Sequence, residues 1–197
     1  MKPCLFVLLL LAGVAGAQPD SPVKQLDADH FEVGFQPHGE VRLHVQPSAL
    51  RITGTDDNKI TAHFWGDIAD PSAVKVRLAA AGKTAEVSVN GGPRNNFHVE
   101  IQVPKKSDLY LRIGAGDVDV LGITGDKDIE MGAGDLTVEV GDPSAYGRVD
   151  ASVTTGDLNA SAFDVSKGGL FRSFHKQGDG PYRLHVHLGA GQLTLVR

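Results

Sequence analysis

One seven-residue unit constrains this chain more than any bulk property. Gly114-Ala115-Gly116-Asp117-Val118-Asp119-Val120 returns 18 residues later as Gly132-Ala133-Gly134-Asp135-Leu136-Thr137-Val138. A looser copy, Thr154-Thr155-Gly156-Asp157-Leu158-Asn159-Ala160, follows after a further 22 residues, and Gly189-Ala190-Gly191-Gln192-Leu193-Thr194-Leu195 is a fourth. Gly125-Asp126 lies halfway between the first two. Within each copy apolar residues alternate with polar ones, which buries one face of a strand. Repetition at about 20 residues, with one or two short strands per period, is the mark of a chain wound into stacked turns. The copies therefore predict a β-solenoid over 105–197, with apolar columns inside, polar ladders outside and glycines at the corners. Hairpins recurring at this spacing, an antiparallel meander, are the alternative.

The preceding residues, 29–104, carry period-two alternation without the repeat. Phe31/Val33/Phe35, Val41/Leu43/Val45, Leu50/Ile52, Ile60/Ala62/Phe64, Val74/Val76/Leu78, Val87/Val89 and Phe97/Val99/Ile101/Val103 read as inward positions of short strands. Arg42, His44, Arg51, His63, Lys75, Arg77, His98 and Glu100 fall between them and point outward. Turn signals such as Pro37-His38-Gly39 and Gly91-Gly92-Pro93 separate the runs. The stretch 70–81 is ambiguous, since Asp70-Pro71-Ser72-Ala73 suits a helix start while Val74, Val76 and Leu78 suit a strand. The fold class expected is all-β, a solenoid half continuous with a region of short strands, forming one domain over 29–197. Between Asp157 and Gln192 an excursion carries Phe163, Leu170, Phe171, Phe174 and Tyr182, aromatics expected to cover part of the solenoid.

The first residues predict export. Lys2 precedes the apolar run 5–12, and Ala15-Gly16-Ala17 supplies the small residues of a cleavage site, so a signal peptide over 1–17 is expected. A polar, proline-bearing arm, 18–28, follows with little order expected. The run is too short to remain as a membrane span, and no later segment approaches the roughly 20 apolar residues one needs. A periplasmic, cell-envelope or secreted protein is the implied destination. Cys4 is the only cysteine and lies inside the leader, so no disulfide framework or thiolate metal site is expected afterwards. The net charge of −5, with no basic block, argues against nucleic acid as a partner.

At these residues the chain resembles the bacterial putative-adhesin family, a domain of unknown function in exported or envelope-facing proteins. The resemblance rests on Val99-Glu100-Ile101-Gln102-Val103-Pro104 leading to Leu109-Tyr110-Leu111, on the Gly-x-Gly-Asp-Val/Leu-x-Val units at 114 and 132, and on Gly180-Pro181-Tyr182-Arg183-Leu184 through 189–195. It covers roughly 31–197. It implies a β-helix-like stack at the cell envelope and leaves mechanism open.

Three chemistries bear on the side chains. Asp117, Asp119, Asp126, Asp128 and Asp135 sit near glycines and offer the oxygens Ca²⁺ requires, but the double glycine of calcium-binding nonapeptides is missing, so turn-capping is the expected role. His185 and His187 share one strand face, yet a third ligand for zinc or copper cannot be named from sequence, and no metal or cofactor is expected. No nucleophile elbow, mature thiol or phosphate loop supports catalysis. The expected function is non-enzymatic: a rigid face presented to an envelope protein or a glycan, with Asp119, Thr137 and Asn159 as the outward column and Phe171 and Phe174 beside it. A glycan-active enzyme and an envelope-stress accessory protein are the alternatives.

Overall fold

Alternation becomes strand throughout. The computed structural model describes residues 22–70 and 73–197; the expected leader and the first residues of the arm lie outside the described residues. In chain order the strands are β1 Lys24–Asp27, β2 His30–Gly34, β3 Glu40–Val45, β4 Ala49–Thr55, β5 Lys59–Gly66, β6 Lys75–Ala81 and β7 Thr84–Asn90, followed by β8 Phe97–Pro104, β9 Asp108–Leu121, β10 Lys127–Glu139, β11 Tyr146–Ala160, β12 Val165–Gln177 and β13 Tyr182–Val196. They join one 13-stranded open sheet. Among the described residues there is no α-helix, and none long and apolar enough to cross a membrane. The ambiguous stretch resolves as β6, whose Leu78 and Ala80 are buried where it pairs antiparallel with β7. Part of the arm is ordered too. β1 pairs with the edge of β2 through its backbone, although all four of its residues are exposed.

The repeat sets the geometry of the C-terminal half. Leu109 is the parallel register partner of Lys127, and its N–H donates to Asp126 O at 2.8 Å, so the backbone returns beside its own start after the 18 residues of the repeat. β9 pairs with β3 along Asp108–Arg112 and with β4 along Asp117–Leu121. β3 and β4, separated by Gln46-Pro47-Ser48, are thus two arms of one neighbouring coil, and β7 and β8 pair with them in the same way. The coils lie in the order β7/β8, β3/β4, β9, β10, β13, β11. Antiparallel strands flank this stack, β6 and β5 at one end and β12 at the other.

This order differs from the succession along the chain that the repeat suggests. β13 lies between β10 and β11, parallel to both, and β3/β4 lies between β7/β8 and β9. Units with the same inward pattern and the same corner fit one another in any slot, so local pattern does not dictate which neighbours which. Inside, the pattern holds in register. Leu50, Val118, Leu136, Leu193 and Leu158 form one column and Leu43, Leu111, Ile129, Val186 and Ala151 another, each residue 2 % exposed or less. Burial of each such leucine, isoleucine or valine side chain is worth about 1.5–3 kcal/mol.

At the corner the glycines form a column of their own. Gly116, Gly134, Gly191 and Gly156 are register partners in that order, with φ of +140°, +120°, +130° and +130°. A Cβ on Gly134 would lie 1.9 Å from the Gly116 carbonyl oxygen, and one on Gly191 1.9 Å from that of Gly134. Positive φ and close backbone approach thus demand glycine here at once.

Candidate binding face

Beyond the glycine corner each coil continues into a straight arm in which outward residues alternate with the buried ones. Strand pairing places Arg51 beside Asp119, Asp119 beside Thr137, Thr137 beside Thr194, and Thr194 beside Asn159. The expected column Asp119, Thr137, Asn159 is therefore brought together, with Thr194 of the inserted β13 completing it. On the other side it continues through Glu100 and His63 to His30. Eight polar side chains follow one another at the strand spacing of about 4.8 Å. Arg51 Nη2 lies 3.5 Å from Asp119 Oδ2.

A parallel column runs beside it: Trp65, His98, Ala49, Asp117, Asp135, Gln192 and Asp157. Ala49 is small, so the face dips between the rings of Trp65 and His98 on one side and the carboxylates of Asp117 and Asp119 on the other. Arg51 also lines the resulting cleft. Trp65 is 42 % exposed. Its ring is parallel to that of His98 within 8°, with centroids 5.4 Å apart, and lies 5.1 Å from the His63 ring. His98 Nε2 is 2.9 Å from Asn96 Oδ1, which orients the imidazole. The alternation that turns Ile60, Ala62 and Phe64 inward also turns Trp65 outward, so its exposure was readable; its place opposite Asp117 was not, because that depends on which coils neighbour each other.

The two aromatic candidates do not join this face. Phe174 is the partner of buried Ala151, turns to the inner side and packs against Phe163 at a centroid distance of 5.3 Å. Phe171 is 80 % exposed with φ +52°, so it covers no part of the stack.

The other arm of the coils carries a denser charge pattern. Its outward row reads Arg42, Tyr110, Asp128, His185, Asp150, His175. Arg112 binds Asp128 Oδ1 at 2.9 Å and Glu130 Oε1 at 3.2 Å, and its guanidinium carbon lies 3.8 Å from the centroid of the Tyr110 ring. His175 Nδ1 is 2.8 Å from Asp150 Oδ1; this contact, with Arg148, holds the Asp150 carboxyl below its ordinary range. Asp128, Glu130 and His185 bring ligand atoms within 4.8 Å of one another, which supplies carboxylate partners for His185. His187 instead lies 2.9 Å from Ser152 Oγ through its Nδ1. Arg112 already supplies the cation for both carboxylates. Among the calcium candidates, Asp126 accepts the Arg183 N–H at 2.8 Å, a structural use of the carboxylate.

No family model and no curated protein matches the sequence. Among solved structures, a putative cell adhesion protein from Clostridium sporogenes aligns with a TM-score of 0.51 at 15 % identity, over 84 % of this chain and 97 % of that one. Putative adhesins from Bacteroides fragilis (TM-score 0.39, 11 % identity, 92 % and 100 % covered) and Parabacteroides distasonis (0.36, 10 %, 90 % and 66 %) align more loosely. The chain thus shares the all-β fold of the Clostridium sporogenes protein.

Proposed function

We propose that this chain is an exported, non-enzymatic binding module of the envelope or the secreted fraction, and that its stacked coils are a β-solenoid whose flat face engages an envelope protein or a glycan. The observation that carries this reading is the outward column Arg51, Asp119, Thr137, Thr194, Asn159, held in register by parallel pairing on both sides of β13. Side chains fixed at one spacing by a continuous backbone ladder make many weak contacts with little loop ordering to offset. The 18-residue return of the backbone and the glycine column support the solenoid. The secretory pattern at the N-terminus supports export, and the fold shared with the putative cell adhesion protein supports a surface-binding role.

The test is a triple variant, Asp119→Lys, Thr137→Lys, Asn159→Lys, assayed for retention on native envelope fractions. A drop of at least about tenfold, one factor of 1.4 kcal/mol in binding, with an unchanged melting temperature is expected. Retention equal to that of the unaltered protein overturns the reading. Turnover of an envelope polysaccharide by the unaltered protein, abolished by one carboxylate substitution, favours the enzymatic alternative instead.

A further inference from the structure

The geometry points to the cleft over Ala49 as a subsite for a neutral sugar ring, an inference that rests on the binding-module reading and names its ligand class. A pyranose presents an apolar C–H face and a rim of hydroxyls, and its recognition needs an aromatic surface at one side and acceptors and donors at the other. The cleft supplies both. Trp65 stacks on His98 with planes parallel within 8°, and the exposed part of its indole lines one side of the cleft. Asp117 and Asp119 face them with carboxylate acceptors, and Arg51 adds a donor. The strands bearing His98 and Asp117 are separated by β4 alone, two spacings or about 9–10 Å, the width of a single ring with its hydroxyls.

Neighbouring groups extend the argument from a ring to a chain. Asp135, Gln192 and Asp157 continue the Asp117 column at one hydrogen-bonding group per strand. These acceptors stand at the strand spacing of about 4.8 Å. A sugar chain running across the strands therefore meets successive acceptors. The same carboxylates disfavour anionic ligands. A quaternary ammonium would also suit an indole beside a carboxylate, but the Arg51 guanidinium lines the same cleft and repels a cation.

Trp65 is the chain's single tryptophan, so its fluorescence reports this cleft alone. The experiment titrates the full-length protein with cellotriose, chitotriose and maltotriose up to about 10 mM, followed by emission and by calorimetry, with tetramethylammonium chloride as the cationic probe. At least one trisaccharide is expected to shift the emission and bind. Trp65→Ala is expected to weaken the calorimetric affinity at least tenfold, and Asp117→Asn at least fivefold, both at an unchanged melting temperature. The inference is overturned if no trisaccharide binds, if Trp65→Ala binds as tightly as the unaltered protein, or if tetramethylammonium alone perturbs Trp65. Envelope retention measured in parallel separates the two readings. Loss in the triple-lysine variant without any trisaccharide binding removes the sugar subsite and leaves the binding module standing, whereas retention by every variant together with no trisaccharide binding removes both.

Discussion

Lys127 Nζ donates to the Tyr146 hydroxyl inside the stack, where the two residues are 1 % and 2 % exposed. Lys127 occupies an otherwise aliphatic column, between Leu109 and Leu184, so its ammonium has left water for one phenol oxygen and the edge of its ring. Burial pulls its pKa down to about 8, and the more distant carboxylates of Glu139, Asp126 and Asp108 recover only part of the loss. Burial also holds the Tyr146 phenol above its ordinary range.

These two shifts give a stability profile with opposite limbs. Below pH 8 Lys127 is charged in both the folded and unfolded chain, and the full cost of burying it is present. Between about 8 and 10.5 the unfolded chain keeps a proton that the folded chain has released, so stability rises with pH by up to about 3 kcal/mol. Above about 10 an unfolded tyrosine ionises while Tyr146 does not, so stability falls again. Urea denaturation at pH 7, 9, 10 and 11 is expected to show this alkaline maximum. Lys127→Met abolishes the rising limb and stabilises the protein at pH 7, whereas Tyr146→Phe, which strands the ammonium, costs about 1–3 kcal/mol there. A Lys127→Met variant with the same profile as the unaltered chain contradicts the account.

Gly114 and Gly132 occupy the same place in their repeats, yet alanine is expected to treat them differently. A Cβ on Gly132 would lie 2.3 Å from the Gly114 carbonyl oxygen, while one on Gly114 would meet nothing within 4 Å. Gly132→Ala and Gly134→Ala are each expected to cost on the order of 4 kcal/mol, the second also straining a φ of +120°. Gly114→Ala stays within about 0.5 kcal/mol. Equal melting temperatures for the Gly114 and Gly132 variants would show that the coils do not stack in this register.

Glycine spacing and alternation made much of this readable in advance. Val118, Leu136, Leu158 and Leu193 are the inward positions expected, and Asp119, Thr137 and Asn159 share a column because they hold equivalent places in equivalent units. What local pattern does not contain is the choice of partner. β13 carries the same Gly-x-Gly corner as β10, so nothing in its own residues says that it lies beside β10 rather than beyond β11. The Trp65 cleft was hidden for the same reason, since it exists only because β4 brings Ala49 between His98 and Asp117. β1 was unreadable on different grounds: its pairing is made by backbone groups alone, and exposed polar side chains carry no record of it.

Arg112 is expected to be the costliest exposed-face residue to remove. Its guanidinium donates to the backbone carbonyls of Leu111 and Asp128 at 3.0 and 3.1 Å, pairs with two carboxylates and covers the Tyr110 ring. Arg112→Ala leaves Asp128 and Glu130 repelling each other and is expected to cost about 2 kcal/mol, with Arg112→Lys losing about half of that because it keeps charge without the planar fork. Removal also frees both carboxylates beside His185. Zn²⁺ is therefore expected to raise the melting temperature of Arg112→Ala by more than that of the unaltered protein. Equal shifts in the two proteins argue that the guanidinium does not occupy these ligands.

β13 lies between β10 and β11, which share no backbone ladder of their own, and this makes residues 182–196 indispensable although they come last in the described strands. Register partners run from Lys127 to Glu139 on one side and from Tyr146 to Asn159 on the other. Without β13 both neighbours expose an unpaired edge, and Leu136 and Leu158 lose Leu193 from their shared column. The loss includes Leu184, Val186, Leu188, Leu193 and Leu195, all buried, at about 1.5–3 kcal/mol each. That is comparable with the whole stability of a typical domain, about 5–15 kcal/mol. A chain ending at residue 179 is expected to lose its cooperative thermal transition, and a peptide spanning 180–197 added in trans is expected to restore it. A chain beginning at residue 29, which lacks only the exposed β1 among the described strands, is expected to melt within a few degrees of the full-length protein. Cooperative melting of the shortened C-terminus at the original temperature would place β13 at an edge instead of between β10 and β11.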